Sequence, residues 1–160
     1  MNLLCKHNKF SIFDSPMKPE ETIDYHIKWA WHAIQRMYNE EAKKYGFSMS
    51  IGYVLLNIDI KNGTPSTQLG PKMGIESTSL SRTLKKMEKK NLITRKTNPV
   101  DGRSVLIYLT PNGKKKRVIS KEKVLRFNKK LQSILNKRKI NTFIEVIKKT
   151  KEVIKEKKIY

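Results

Sequence analysis

Hydroxyl and basic side chains are interleaved in one short stretch, Ser77-Thr78-Ser79-Leu80-Ser81-Arg82, with Lys85 and Lys86 a turn further on. Hydroxyls bond phosphate oxygens and base edges, and an arginine fork does so bidentately, so this grouping suits contact with nucleic acid. Ser77 and Thr78 also suit plain helix capping. Further along, Asp101 precedes Arg103 by two residues, a spacing at which a carboxylate can orient a guanidinium. As a solvated surface pair the two are worth only about 0–1 kcal/mol. On a narrow hairpin, an oriented arginine fits a minor groove. Other chemistry lacks its residues. There is no glycine-rich phosphate loop, no G-x-S-x-G elbow and no carboxylate pair in a catalytic motif, so no enzyme and no cofactor are expected. His26 and His32 are six apart, on different faces of a helix, and with His7 they make no metal set.

The charge supports a polyanion partner. The formal net charge is +21, and it is unevenly spread. Residues 1–71 carry 8 basic against 7 acidic groups, residues 72–110 carry 9 against 3, and residues 111–160 carry 18 against 4. Neutralising phosphates releases condensed counterions, which favours binding to duplexes. A lysine-rich solvated surface is the plainer explanation, since only 7 of the 35 basic residues are arginine. Arg82, Arg95 and Arg103 nevertheless cluster in the middle segment. A non-specific nucleic-acid binder driven by the lysine-rich tail is the rival reading.

These residues need elements to hold them. Residues 1–18 read as a leader, and Pro19 with Glu20 and Glu21 as a helix start. Ile23, Ile27, Trp31, Ile34, Tyr38, Ala42 and Tyr45 recur at helical spacing up to Gly46. Ser48 caps a second helix, Met49 to about Ile60, apolar nearly all round at Tyr53-Val54-Leu55-Leu56. After Asn62-Gly63, Thr64 and Pro65 read as N-cap and first residue of a short third helix, with Thr67 and Lys72 on it. Gly74 turns the chain into a fourth helix, about Ser77 to Lys90, whose Leu80, Leu84 and Met87 face inward. The period then switches to two over Leu92–Thr97 and Ser104–Thr110, around the turn Asn98-Pro99-Val100-Asp101-Gly102. Two helices close the chain, the first begun by Thr110-Pro111. The expectation is a mainly α fold with a small β-hairpin wing: a winged helix-turn-helix whose fourth helix enters the major groove.

At this point the chain resembles the MarR family of multiple-antibiotic-resistance-type regulators. Asp101-Gly102-Arg103 followed by Leu109-Thr110-Pro111-Asn112-Gly113 matches that family's D-x-R…L-T-x-x-G signature. Ser79-Leu80-Ser81-Arg82, Leu84, Met87-Glu88-Lys89-Lys90 and Leu92-Ile93 match its recognition helix and strand entry. Asn91 stands where the family usually has glycine, but asparagine tolerates the left-handed cap. Pro71 inside the third helix removes one backbone bond, and a kink is expected there.

The resemblance implies a homodimer on double-stranded DNA at a pseudo-palindromic operator, usually as a repressor. It divides the chain into a flexible leader (1–18), a dimerisation helix (19–47), a DNA-binding domain (48–112) and C-terminal dimerisation helices (113–160). The stripe Val118, Leu125, Leu131, Phe143, Ile147 and Ile154 asks for a partner surface, and pairing sets two recognition helices roughly 34 Å apart. The DNA-contacting set is Thr67, Lys72, Ser77, Thr78, Ser79, Ser81, Arg82, Lys85, Lys86, Asp101 and Arg103. The family often holds a small aromatic or lipophilic effector between dimer helices and reading core, and Trp29, Trp31, His32 and Tyr53 are candidates to line that crevice; aromatics at this spacing also serve as plain core. Cys5, beside Lys6 and His7, is a candidate redox residue. With no secretory h-region, no membrane span and one cysteine, the expected compartment is the cytoplasm.

Overall fold

The structure is a computed structural model that describes residues 18–99, 101 and 104–156. Cys5, Lys6, His7 and Arg103 lie outside the described residues.

Pro19–Glu21 form a single 3-10 turn, and the first helix, α1 (Ile23–Lys43), starts beyond it. Thr22 supplies its N-cap, its hydroxyl accepting from Tyr25 N–H at 3.4 Å. Helix α2 (Met49–Asn57) is capped in the same way by Ser48. It stops three residues short of the expected Ile60. The Asp59 carboxylate accepts the N–H groups of Lys61 and Asn62 at 2.8 and 2.7 Å, folding the chain into a local turn that competes with the helix.

Thr64 and Pro65 do not begin the third helix. They form a strand, β1 (Thr64–Pro65), paired antiparallel with Leu106 and Ile107 of a later strand. The Thr64 hydroxyl, freed from capping, accepts from Asp59 N–H at 2.9 Å. Two residues are too few for an alternation signal, so only the tertiary partner reveals this strand. Helix α3 (Ser66–Met73) follows and runs through Pro71. Helix α4 (Ser77–Lys89), then the hairpin β2 (Ile93–Thr97) and β3 (Val105–Leu109), complete a winged helix-turn-helix. The sheet order is β1-β3-β2, with Ile93 opposite Leu109 and Thr97 opposite Val105.

One apolar core holds these elements: Ile51, Val54, Leu55 and Ile58 from α2 and its end, Leu69 from α3, Leu80, Leu84 and Met87 from α4, and Ile93, Ile107 and Leu109 from the sheet. Two long helices follow, α5 (Pro111–Ile134) and α6 (Lys137–Glu156). Helix α5 packs on α2, whereas α6 buries no residue at all. The apolar stripe that sequence periodicity places on the outer helices is uncovered within one chain: Ile23, Trp31, Val118, Leu125, Phe143 and Ile154 are all exposed, Phe143 by 64%.

Candidate nucleic-acid interface

The turn between α3 and α4 sets the reading geometry. Gly74 adopts φ 62°, and Ile75 N–H reaches back to the Gly70 carbonyl at 3.2 Å, closing α3 with a left-handed cap. That turn lets Leu69 and Leu80 meet in the core, which fixes the rotation of α4 about its axis. With Leu80, Leu84 and Met87 buried, the opposite arc is presented outward. Ser77, Thr78, Ser79, Ser81, Arg82, Lys85 and Lys86 are all exposed, as are Thr67 and Lys72 on α3. The N-cap of α4 is Glu76, without a side-chain cap bond, so the hydroxyls of Ser77 and Thr78 are not spent on capping. Among the described residues, Arg82, Lys85 and Lys86 enter no ion pair.

The third arginine of the middle segment behaves differently. Arg95 donates to the Glu88 carboxylate at 3.1 Å, tying β2 to the last turn of α4. Lys96 lies over the Tyr108 ring at 5.2 Å. At the hairpin tip, Ser104 donates its N–H and hydroxyl to the Asp101 carbonyl at 2.9 and 3.1 Å, and Asn98 Nδ2 donates to the Ser104 hydroxyl at 2.7 Å. Asp101 is exposed at this tip. The expected pairing of Asp101 with Arg103 lies outside the described residues.

Behind the wing, a compact brace joins α4, the sheet and α5. Asn91 takes φ 52°, and Leu92 N–H reaches the Met87 carbonyl at 2.9 Å, so asparagine does here what glycine usually does at a helix end. The Thr110 hydroxyl donates to the Asn91 carbonyl at 2.7 Å and accepts from Gly113 N–H at 2.9 Å. A Cβ on Gly113 would stand 1.9 Å from the Leu92 carbonyl oxygen. Only glycine admits that approach.

On the other side of α2 lies a cavity of about 210 Å³, between α1, α2 and α5. Trp31 and Tyr53 line it, together with Tyr38, Tyr45, Phe47 and Ile119. Trp29 and His32 are exposed and lie outside its lining. At its edge Lys123 of α5 meets Glu41 of α1 at 3.2 Å and lies over the Tyr45 ring at 5.3 Å. Hydrogen bonds from Lys44 and Lys123 hold the Glu41 carboxyl below its ordinary range, while Tyr45 first and Glu41 second hold Lys123 above its own. Burial pushes the Tyr38 phenol above its ordinary range.

A family model described as MarR family matches residues 48–105, the span from the α2 cap to the start of β3. Over residues 48–105 the chain is thus similar to the MarR family. The HTH-type transcriptional regulator SarZ of Staphylococcus epidermidis is 33% identical over 81 residues, covering 51% of this chain and 55% of that protein. The chain thus spans about half the length of the curated relatives it matches. Among solved structures, the S. aureus MepR–DNA complex superposes with TM-score 0.76 at 18% identity, over 82% of this chain and 98% of that one. The PcaV transcriptional regulator from Streptomyces coelicolor, in complex with its natural ligand, gives 0.73 at 16%, over 86% and 97%. At such identities the superpositions show the fold.

The L-T-x-x-G half of the MarR-type signature now has a physical reading: threonine caps α5 and ties it to Asn91, and glycine lets α5 lie on the Leu92 backbone. Sequence reasoning missed the wall of the cavity. Tyr38 and Tyr45 were legible, because they continue the Trp31 stripe at helical spacing. Phe47, Ile119 and the Glu41–Lys123 pair carry no local signal, since they meet only when α5 returns across α1 and α2.

Proposed function

We propose that this chain is a sequence-specific, duplex-DNA-binding transcriptional regulator of the MarR type. It acts as a homodimer in the cytoplasm, as a repressor released by a small aromatic or lipophilic effector, and it is not an enzyme. The observation that carries the reading is the outward arc of α4: four hydroxyl residues at its head and, further along the exposed side, three cations that enter no ion pair among the described residues, on a helix whose opposite face is locked into the core. A helix so held offers short donors to base edges near its N-terminus and cations to the flanking phosphates. Thr67 and Lys72 of α3 contribute backbone contacts, and the wing, with Asp101 and Arg103, grips beside them.

The dimer is supported by α6, which buries nothing in its own chain, and by the uncovered stripe on α1 and α5. An isologous partner of the same sequence brings the same stripe to cover it. The effector reading is supported by the aromatic cavity lined by Trp31, Tyr38, Tyr45 and Tyr53, which lies between those outer helices and α2. Selection of bound sequences from a random duplex library tests the proposal. One pseudo-palindrome with half-sites a helical turn apart is the expected outcome; a pool with no enriched sequence refutes it.

A further inference from the structure

The longest acid-free stretch of the chain is strongly basic and lies far from the reading head. Residues 123–144 contain seven basic residues and no acidic one. Lys123 is engaged by Glu41, but Arg126, Lys129, Lys130, Lys137, Arg138 and Lys139 are exposed and enter no ion pair among the described residues. They occupy the last turns of α5 and the first turn of α6, on either side of the bend between them. Helix α5 is anchored to Leu92 at its other end, and its 24 residues span roughly 36 Å.

Local structure gives no reason for this placement. Lys137, Arg138 and Lys139 stand at the N-terminus of α6, where the helix dipole disfavours cations, and Asn136 supplies the cap bond to Lys139 N–H at 2.9 Å. A second copy of the segment cannot cover it, because it carries the same sign. The complementary surface is anionic, and the chain's other head already suits one polyanion. We infer that the α5–α6 tip is a second, sequence-independent duplex-binding surface, so that one dimer bridges two DNA segments. The inference rests on the proposed function for the dimer and for its first duplex.

The test uses the full chain, a bead-bound duplex carrying the selected operator and a fluorescent duplex of arbitrary sequence. Wild type captures the free duplex on the beads. The variant K129Q/K130Q/K137Q/R138Q/K139Q, in which all five positions are exposed and glutamine keeps helix propensity, loses capture by roughly an order of magnitude. The salt dependence of its second binding event becomes shallower by about 4 in log–log slope. Its circular dichroism and light-scattering mass stay those of wild type. Unchanged capture overturns the inference. So does capture lost together with the dimer mass, which makes the tip a subunit contact, with the exposed acids Glu20, Glu21 and Asp24 of another copy as its partners. Anionic vesicles that bind wild type more tightly than duplex, through the same five residues, overturn it in favour of a lipid surface. Single-duplex binding without bridging sinks this inference and leaves the proposed function standing. Duplex binding that survives R82A/K85A but not the five-site variant refutes the proposed reading head and the bridge with it, leaving the tip as the chain's duplex-binding surface.

Discussion

Replacing Gly113 by alanine sets two effects of opposite sign against each other. The residue lies in the first turn of α5, and in an unencumbered helix alanine is better than glycine by about 1 kcal/mol. Here the added methyl meets the Leu92 carbonyl oxygen at 1.9 Å and its carbon at 2.9 Å, both backbone atoms. Relief to 3.0 Å moves α5 and the α4–β2 junction apart by at least about 1.1 Å. That opening breaks the bond from Thr110 N–H to Leu92 O, now 3.1 Å, and the bond from the Thr110 hydroxyl to Asn91 O, now 2.7 Å. Two such bonds are worth about 1 kcal/mol each, and overpacking adds about 1–3 kcal/mol. Less the helix term, the net loss is about 2–4 kcal/mol, or a fall in Tm of roughly 5–15 °C. Urea unfolding at one fixed protomer concentration measures it, since dimerisation makes stability concentration-dependent. A Gly113→Ala protein within about 0.5 kcal/mol of wild type refutes the brace.

The same brace predicts that Thr110→Val, close in shape but without the hydroxyl, loses about 1–3 kcal/mol in that assay, because it strands Gly113 N–H and the Asn91 carbonyl. Arg82→Ala weakens binding to the selected operator by about 1–3 kcal/mol and relaxes preference at one position, measured by titration against single-base variants; equal affinity and preference exclude base reading by this side chain. Glu41→Gln unclasps α1 from α5. Because the folded Glu41 carboxyl is held low, its contribution is present at neutral pH and disappears as pH falls through that lowered value; because Lys123 is held high, the pair also fades only as pH rises through that raised value. The Tm difference between wild type and Glu41→Gln therefore exists at neutral pH and closes in acid, and a pH-independent difference contradicts the assignment. Light scattering at micromolar concentration gives twice the monomer mass, and a clean monomer excludes the dimer.

Helical periodicity with cap residues was enough to place α1, α4 and the start of α5 within a few residues and to show that two helices close the chain, because a long amphipathic stripe is a local property of the chain. The outward arc of α4 was equally legible: once Leu80, Leu84 and Met87 face the core, 3.6-residue geometry decides where Ser81, Arg82 and Lys85 go. The left-handed Asn91 followed from the family resemblance, asparagine standing where glycine is usual, together with its tolerance of that conformation. Tertiary structure decided the rest. Thr64-Pro65 became a strand because β3 offered an edge, overriding a strong capping pattern. Arg95 was withdrawn from the cationic set by Glu88, and Lys123 was set beside Glu41 by the return of α5. Trp31 and Tyr53 came to line one cavity while Trp29 and His32 did not, although all four are equally aromatic in sequence. Spacing along one helix determines which residues share a face; which faces meet depends on contacts between distant segments, and no local pattern encodes those.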